Sequence, residues 1–136
     1  MKTKAVLQES DVNQILTAAR AYAQEKGWAV TISVVDDGGH LLGLVRLDGA
    51  APVSAFISPA KAQTAALGQR ATKVYEDIIN NGRTAFLSAP HIQGMLEGGV
   101  PVLVDGQVVG AVGVSGVQSN QDVEIAQAGI AALGLK

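Results

Sequence analysis

The stretch that decides the fold is residues 98–116, GGVPVLVDGQVVGAVGVSG. Two valine-rich runs flank Asp105-Gly106, and Asp-Gly between apolar runs is the strongest short-range signal for a β-hairpin, because a type I′ turn needs a positive φ at both central residues. Residues 108–114 carry apolar or small side chains on both faces, which is typical of a strand covered on both sides. Gly110 and Gly113 within it predict a close approach by another backbone or a ligand.

The exit from this hairpin predicts a helix and a pocket. Ser119-x-x-Asp122 is a variant of the capping box, so we expect a last helix from Ser119 to about Leu133. Free backbone N–H groups and Asp122 then meet at one helix N-terminus, where a pocket is expected. Capping and complementing the helix dipole are a sufficient structural explanation for Asp122, and a ligand contact is the alternative.

The rest of the chain repeats the alternation of helix and hairpin. Asp36-Asp37-Gly38-Gly39 joins two more strands, and helices come before, between and after the hairpins, which predicts an α+β domain with an antiparallel sheet. The 136 residues are expected to form a single domain, 1–136. The remaining predicted elements are a helix capped by Ser10 or Asp11 and ended by Gly27, strands at 28–35 and 40–47, a helix at 58–69 with Pro59 in its first turn, and a helix at 72–79.

Composition excludes several classes of function. Twelve acidic and ten basic residues without a basic cluster argue against a nucleic-acid-binding or basic membrane-binding face. The absence of cysteine excludes a disulfide, a thiolate ligand to haem and covalent haem attachment. The N-terminus lacks the apolar core of a secretory signal, so a cytoplasmic location is expected.

A few residues are candidates for chemistry. His40 and His91 are the two histidines, and His40 follows a tight turn, where it is either a metal-ligating or proton-transferring residue or a hydrogen-bonded structural residue. His91 is interpreted as a loop residue. Arg46 is placed either to clamp a carboxylate with its planar fork or to pair with its neighbour Asp48 on the surface.

Two further candidates come from the central helix and the hairpin entrance. Lys61 stands among alanines with Thr64 on the same helix face, so it either binds an anion or is an exposed lysine. Glu97 precedes Gly98-Gly99, and Glu97 and Asp122 can share acid–base work only if folding brings them to one substrate.

The sequence resembles the GlcG/HbpS family, which includes the C-terminal domain of PduO-type proteins and is often called haem-degrading or haem-binding. The matching segments are residues 98–116, QDVEIAQAG at 121–129, DGGHL at 37–41, RLDGA at 46–50 and AKAQTA at 60–65. The resemblance implies a three-layer α/β/α, profilin-like arrangement and haem or a related tetrapyrrole as ligand. Together with the residues above, it predicts a binding site that includes His40, Arg46, Lys61, Thr64, Glu97, Gly98, Gly99 and Asp122, with His40 as the candidate iron ligand and Arg46 as a candidate partner of a haem propionate.

The leading hypothesis is therefore a small ligand-binding protein that forms a homo-oligomer, since strands apolar on both faces and a modest net charge leave apolar surface for a partner subunit. One alternative is an isomerase, hydratase or lyase acting on a small carboxylate, with Arg46 or Lys61 holding the anion and His40 or Glu97 moving a proton. Another is an accessory assembly protein without a ligand.

Overall fold

The structure is a computed structural model and describes residues 1–135. Helices and strands follow one another in the order expected from the sequence. The elements are α1 (Glu9–Lys26), β1 (Thr31–Asp36), β2 (Leu41–Arg46), α2 (Ser54–Gly68), α3 (Thr72–Asn80), a short 3-10 helix (Thr84–Ser88), β3 (Gly99–Val104), β4 (Gln107–Ser115) and α4 (Ser119–Ala131).

The four strands form one antiparallel sheet in the order β2-β1-β4-β3. Each predicted hairpin is present, and the two lie side by side because β1 pairs with β4. At the tip of the second hairpin Asp105 and Gly106 have φ values of 52° and 75°, so both central turn residues are in the left-handed region as predicted. No helix within residues 1–135 is both long enough and apolar enough to span a membrane.

Helices cover both faces of the sheet, which confirms the α+β fold and the three-layer arrangement. One face packs on α1 and α4 through a core that includes Ile15, Ile32, Val112 and Ile125. On the other face α2 packs on β4, β1 and β3 through small side chains such as Ala62. All of residues 108–115 are buried, as expected for a strand covered on both sides.

Helix α2 sits on β1 through two buried hydroxyl pairs. Thr31 Oγ1 lies 2.8 Å from Ser54 Oγ, and Ser33 Oγ lies 2.7 Å from Ser58 Oγ. The spacing repeats because four residues of helix rise about 6 Å and two residues of strand rise about 6.6 Å. Gly113 permits the contact, since a β-carbon there would lie 2.2 Å from the Ser58 carbonyl oxygen. The close approach predicted at Gly113 is confirmed.

The start of α2 corrects one prediction. The helix begins at Ser54 and not at Ser58, so Pro59 lies in the second turn. Pro59 has no N–H to donate to the carbonyl of Ala55. The hydroxyls of Ser54 and Ser58 nevertheless tie this part of the helix to β1, so tertiary contacts outweigh the missing hydrogen bond.

The helix caps correct two further predictions from the sequence. Gln8 caps α1, and Asp11 accepts a hydrogen bond from the Gln8 N–H, so neither Ser10 nor Asp11 is the cap. Gln118 and Gln121 form the capping box of α4 in place of the predicted Ser119 and Asp122. Asp122 is unavailable for the box because its carboxylate points into the protein.

Candidate functional site

Lys61 is a buried cation at the centre of the molecule. Lys61 is 3% exposed. Its Nζ donates hydrogen bonds to the Val114 carbonyl oxygen at 3.0 Å and to Asp122 Oδ2 at 3.1 Å. The helix face that carries Lys61 is directed at the sheet, so the ammonium reaches the end of β4 and the first turn of α4. The reading of Lys61 as an exposed lysine is wrong.

Asp122 supplies the matching charge. Its second oxygen, Oδ1, accepts a hydrogen bond from the Val117 N–H at 3.3 Å. Burial raises the pKa of the Asp122 carboxyl above its ordinary value, and the Lys61 ammonium acts against this rise. The pair connects α2 and α4 at the end of β4.

The entrance to β3 closes around this ion pair. Gly98 has a φ of +135°, and a β-carbon there would lie 2.6 Å from Lys61 Nζ. The Gly99 N–H donates to Thr72 Oγ1 at 2.8 Å, and the Gly94 N–H donates to Thr64 Oγ1 at 2.9 Å. Only glycine fits where the loop passes so close to the lysine.

The structure thus brings Lys61, Thr64, Gly98, Gly99 and Asp122 together, and we call this group the Lys61 centre. Glu97 is half-buried beside it, and its charge adds to the rise in the pKa of Asp122. Within residues 1–135 every buried side-chain nitrogen and oxygen has a hydrogen-bond partner. The Lys61 centre is therefore satisfied internally by its own hydrogen bonds. Sequence reasoning missed Thr72, whose hydroxyl carries no sequence signal to set it apart from other helix-starting threonines.

His40 lies in an open setting at the other end of β1. Asp36 Oδ1 accepts hydrogen bonds from the Gly38 N–H at 2.9 Å and the His40 N–H at 3.0 Å, and it lies 3.1 Å from His40 Nδ1. The His40 side chain is 80% exposed. We call Asp36 to His40 the His40 turn.

The hydrogen bond to Asp36 fixes the orientation of the imidazole. With Nδ1 held by the carboxylate, Nε2 is the free nitrogen, and among residues 1–135 nothing hydrogen-bonds to it. Metal-ligating histidines commonly have one ring nitrogen held by a carboxylate in this way. Sequence reasoning missed Asp36, although an aspartate just before Asp-Gly-Gly is a signal for a side chain that bonds the turn's own N–H groups.

The His40 turn also holds an ion pair. Lys4 donates a hydrogen bond to Asp37, and this bond lowers the pKa of the Asp37 carboxyl. The two side chains are partly exposed. A cation therefore pairs with Asp37, one of the two carboxylates of this turn.

Apolar side chains are exposed next to this turn. Helix α2 covers β4, β1 and β3 but leaves the edge strand β2 largely uncovered. Leu41 and Leu44 on β2 are 56% and 39% exposed, and Leu67 on α2 is 41% exposed. A β-carbon on Gly39 would lie 3.4 Å from Leu67 Cγ, so Leu67 borders the His40 turn. We call Leu41, Leu44 and Leu67 the β2–α2 apolar surface.

Arg46 is far from His40. Six positions of β2 separate the two residues, which corresponds to about 20 Å. The Arg46 guanidinium donates to the Ala50 carbonyl oxygen from Nε at 3.3 Å and from Nη2 at 3.0 Å. Within the described part of the chain it forms no ion pair with Asp48. The structure therefore separates the predicted site residues into three places.

His91 lies in the loop between the 3-10 helix and β3, where it is exposed and has a φ of 65°. No cluster of three or more histidine, aspartate or glutamate side chains suited to a metal ion occurs in residues 1–135.

The fold and the site define a small α+β protein with an exposed, carboxylate-held imidazole at one end of its sheet. The chain belongs to the family described as haem degrading protein HbpS-like, whose model matches residues 7–131.

Relatives support this membership along most of the chain. The chain is 57% identical over 115 residues to protein GlcG of Escherichia coli strain K12, covering 85% of each chain. A solved complex of PduOC with haem has 32% identity and a TM-score of 0.87, covering 97% of this chain and 98% of that one. A variant of Streptomyces reticuli HbpS has 29% identity and a TM-score of 0.87, covering 98% and 91%.

Proposed function

We propose that this protein binds haem or a related tetrapyrrole at the His40 turn, with His40 Nε2 as an axial ligand to the iron. The observation that carries the proposal is the geometry of His40. Its Nδ1 is held by Asp36, its side chain is 80% exposed, and Nε2 is left free. A metal already held in a macrocycle needs only an axial ligand from the protein, and an imidazole supplies one in many haem proteins.

The surroundings of His40 fit the other parts of such a ligand. The β2–α2 apolar surface offers leucine side chains to the apolar ring, and Lys4 offers a cation to a propionate. When bound, the iron would supply redox and ligand-exchange chemistry. The protein's own contribution is to orient the imidazole through Asp36 and to leave Nε2 as the ligating nitrogen. The solved complex of the related PduOC with haem makes the same ligand class reasonable here.

We also propose that the protein forms a homo-oligomer that covers this apolar surface. Leu41, Leu44 and Leu67 are 56%, 39% and 41% exposed, and exposed apolar side chains grouped on one side of a sheet mark an interaction surface. With 4% aromatic residues, the chain has few rings to enclose a haem alone, so a second copy would shield its open side. Light scattering at micromolar concentration should give a mass above that of one chain, and a monomer would contradict this part.

The haem proposal is tested by adding haemin to the purified full chain and following the Soret band. We expect a saturable, stoichiometric shift in the wild type and its loss in His40→Ala. Asp36→Asn should keep the imidazole but weaken binding, because a neutral amide holds Nδ1 less strongly than a carboxylate. His91→Ala is the matched control and should titrate as the wild type does.

Two results would contradict the proposal. One is a shift that never saturates, which would mean unspecific haemin adsorption. The other is a titration of His40→Ala that coincides with that of the wild type, which would place the iron ligand elsewhere.

A further inference from the structure

The two edge strands of the sheet, β2 and β3, differ in the backbone groups that they offer to another strand. The Gly98 carbonyl oxygen accepts from the Val114 N–H of β4, and backbone directions alternate along a strand, so Gly99, Pro101 and Leu103 of β3 face outward. The Gly99 N–H already donates to Thr72 Oγ1 at 2.8 Å, and Pro101 has no N–H. The outer edge of β3 is therefore largely closed to a further strand.

The outer edge of β2 is open. The Leu47 N–H donates to the Val30 carbonyl oxygen at 2.9 Å, so by the same alternation the N–H and C=O groups of Leu44 and Arg46 face away from β1. Nothing among residues 1–135 forms a hydrogen bond with these outward groups. Strand β2 contains no proline, and its register shift lies before Gly43. The devices that usually protect an edge are absent where these groups lie.

An exposed apolar side chain accompanies this open backbone. Leu44 is opposite Ser33, whose hydroxyl lies 2.7 Å from Ser58 Oγ of α2. Directly opposed residues of antiparallel strands share one face of the sheet, so the Leu44 side chain lies on the α2 face. It is 39% exposed there, because α2 leaves β2 largely uncovered.

We infer that two copies of this chain pair along β2, antiparallel to each other, with Leu44 on the two-fold axis, so that their two sheets become one. The inference rests on the proposed homo-oligomer and names the edge that forms it. A second copy fits this edge because the pairing closes on itself. The outer edges of the joined sheet are then the two β3 strands, where Gly99 and Pro101 offer no free N–H.

The charges at the two ends of β2 favour this antiparallel arrangement. Arg46 is the last residue of β2, whereas Asp36 and Asp37 belong to the His40 turn before its first residue. With the two copies of Leu44 opposite each other, Arg46 lies opposite Leu42 of the second copy, about 7 Å of strand from that copy's His40 turn. Each cationic end therefore lies toward an acidic turn, and the two Leu44 side chains contact each other.

A single introduced thiol tests this contact, since the chain contains no cysteine. Leu44→Cys places two thiols on opposed residues, and a Cα–Cα distance of about 5.5 Å in a hydrogen-bonded antiparallel pair is within the range for a disulfide. Mild oxidation of dilute Leu44→Cys should give a covalent dimer on a non-reducing gel. Leu103→Cys, at an exposed outward position of β3, is the matched control and should run as a single chain.

Charge variants test the register. Leu44→Lys places like charges against each other at the axis, so its mass by light scattering at micromolar concentration should be at least about twofold below that of the wild type. Leu44→Glu should behave in the same way. A mixture of the two variants should regain the wild-type mass, because opposite charges then face each other. Leu103→Lys is the control and should keep the wild-type mass, and all these variants should keep the wild-type circular dichroism spectrum.

Three outcomes would overturn the inference. These are equal cross-linking of Leu44→Cys and Leu103→Cys, a wild-type mass for folded Leu44→Lys, and no gain in mass on mixing Leu44→Lys with Leu44→Glu. Any of them with an oligomeric wild type would reject β2 as the edge and leave the homo-oligomer standing, whereas a monomeric wild type would contradict both. The haemin titration of His40→Ala reports on the haem proposal separately.

Discussion

The Lys61 centre and the His40 turn both contain an aspartate paired with a nitrogen base, yet they differ in what remains for a ligand. At the Lys61 centre both side chains of the pair are at most 4% exposed, and the ammonium is used by Val114 and Asp122. At the His40 turn the Asp36 carboxylate is hydrogen-bonded to His40 Nδ1, but among residues 1–135 nothing hydrogen-bonds to Nε2, and the side chain is 80% exposed. The difference teaches that charged residues in a family motif can build the fold, while the exposed His40 ring keeps one nitrogen without a hydrogen-bond partner among residues 1–135.

The largest expected effect separates these roles. Lys61→Met leaves the Asp122 carboxylate buried without its partner, which should lower the free energy of unfolding by about 3–5 kcal/mol. Urea unfolding measures this. Lys73→Met, which breaks the exposed pair with Asp77, is the control and should unfold at nearly the wild-type midpoint.

A double variant checks the cause of that loss. Lys61→Met combined with Asp122→Leu removes both charges and should recover much of the lost stability, since a buried pair can be replaced by apolar residues at little cost. A single Lys61→Met variant as stable as the wild type would mean that the ion pair does not hold the helices to the sheet.

A change at the packing contact between α2 and Gly113 of β4 should have the next largest effect on the free energy of unfolding. Gly113→Ala places a methyl group 2.2 Å from the Ser58 carbonyl oxygen, so the helix must shift. We expect a loss of about 1–3 kcal/mol in the free energy of unfolding, as for other overpacked sites. An unchanged or higher unfolding midpoint would show that α2 is not seated against Gly113.

A smaller, pH-dependent effect should come from Asp122. Its pKa in the folded protein is raised above the ordinary value of 3.8, so its contribution to stability is fully present below that value and is lost as the pH rises through the folded pKa. The free energy of unfolding of the wild type, minus that of Asp122→Asn, should therefore fall as the pH rises from about 4. Urea unfolding at a series of pH values measures this difference. A difference that grows with pH would mean that the Lys61 ammonium outweighs burial.

The smallest effect on stability should come from His40. His40→Ala removes an exposed ring and one exposed hydrogen bond, and surface changes of this kind are usually within about 0.5 kcal/mol. Urea unfolding should place this variant beside the wild type. A loss as large as that of Lys61→Met would make His40 a structural residue.

Much of the fold could be predicted from local patterns. The Asp105-Gly106 turn and the valine runs on either side of it determine the second hairpin, because the turn geometry depends on those residues alone. The start of α2 could not be predicted in this way. Ser54 and Ser58 hold the helix through hydroxyls on β1, and that contact appears only once helix and strand are packed together.

The candidate site was harder to predict for the same reason. Lys61 among alanines has the pattern of an exposed lysine, and only the fold shows that Asp122, sixty-one positions later, meets its ammonium. Arg46 and His40 were grouped by the family resemblance, although they occupy opposite ends of β2. The role of Asp36 is local, and its position before the glycine turn was a usable signal.

The most direct test of the central claim, that His40 Nε2 is the open ligand position, is imidazole rescue. Haemin-loaded wild type and His40→Ala are compared by their Soret maxima and by electron paramagnetic resonance of the ferric iron, with and without free imidazole. We expect His40→Ala to lose the histidine-ligated spectrum and free imidazole to restore it, while His91→Ala keeps it throughout. A wild-type spectrum in His40→Ala without imidazole would contradict it.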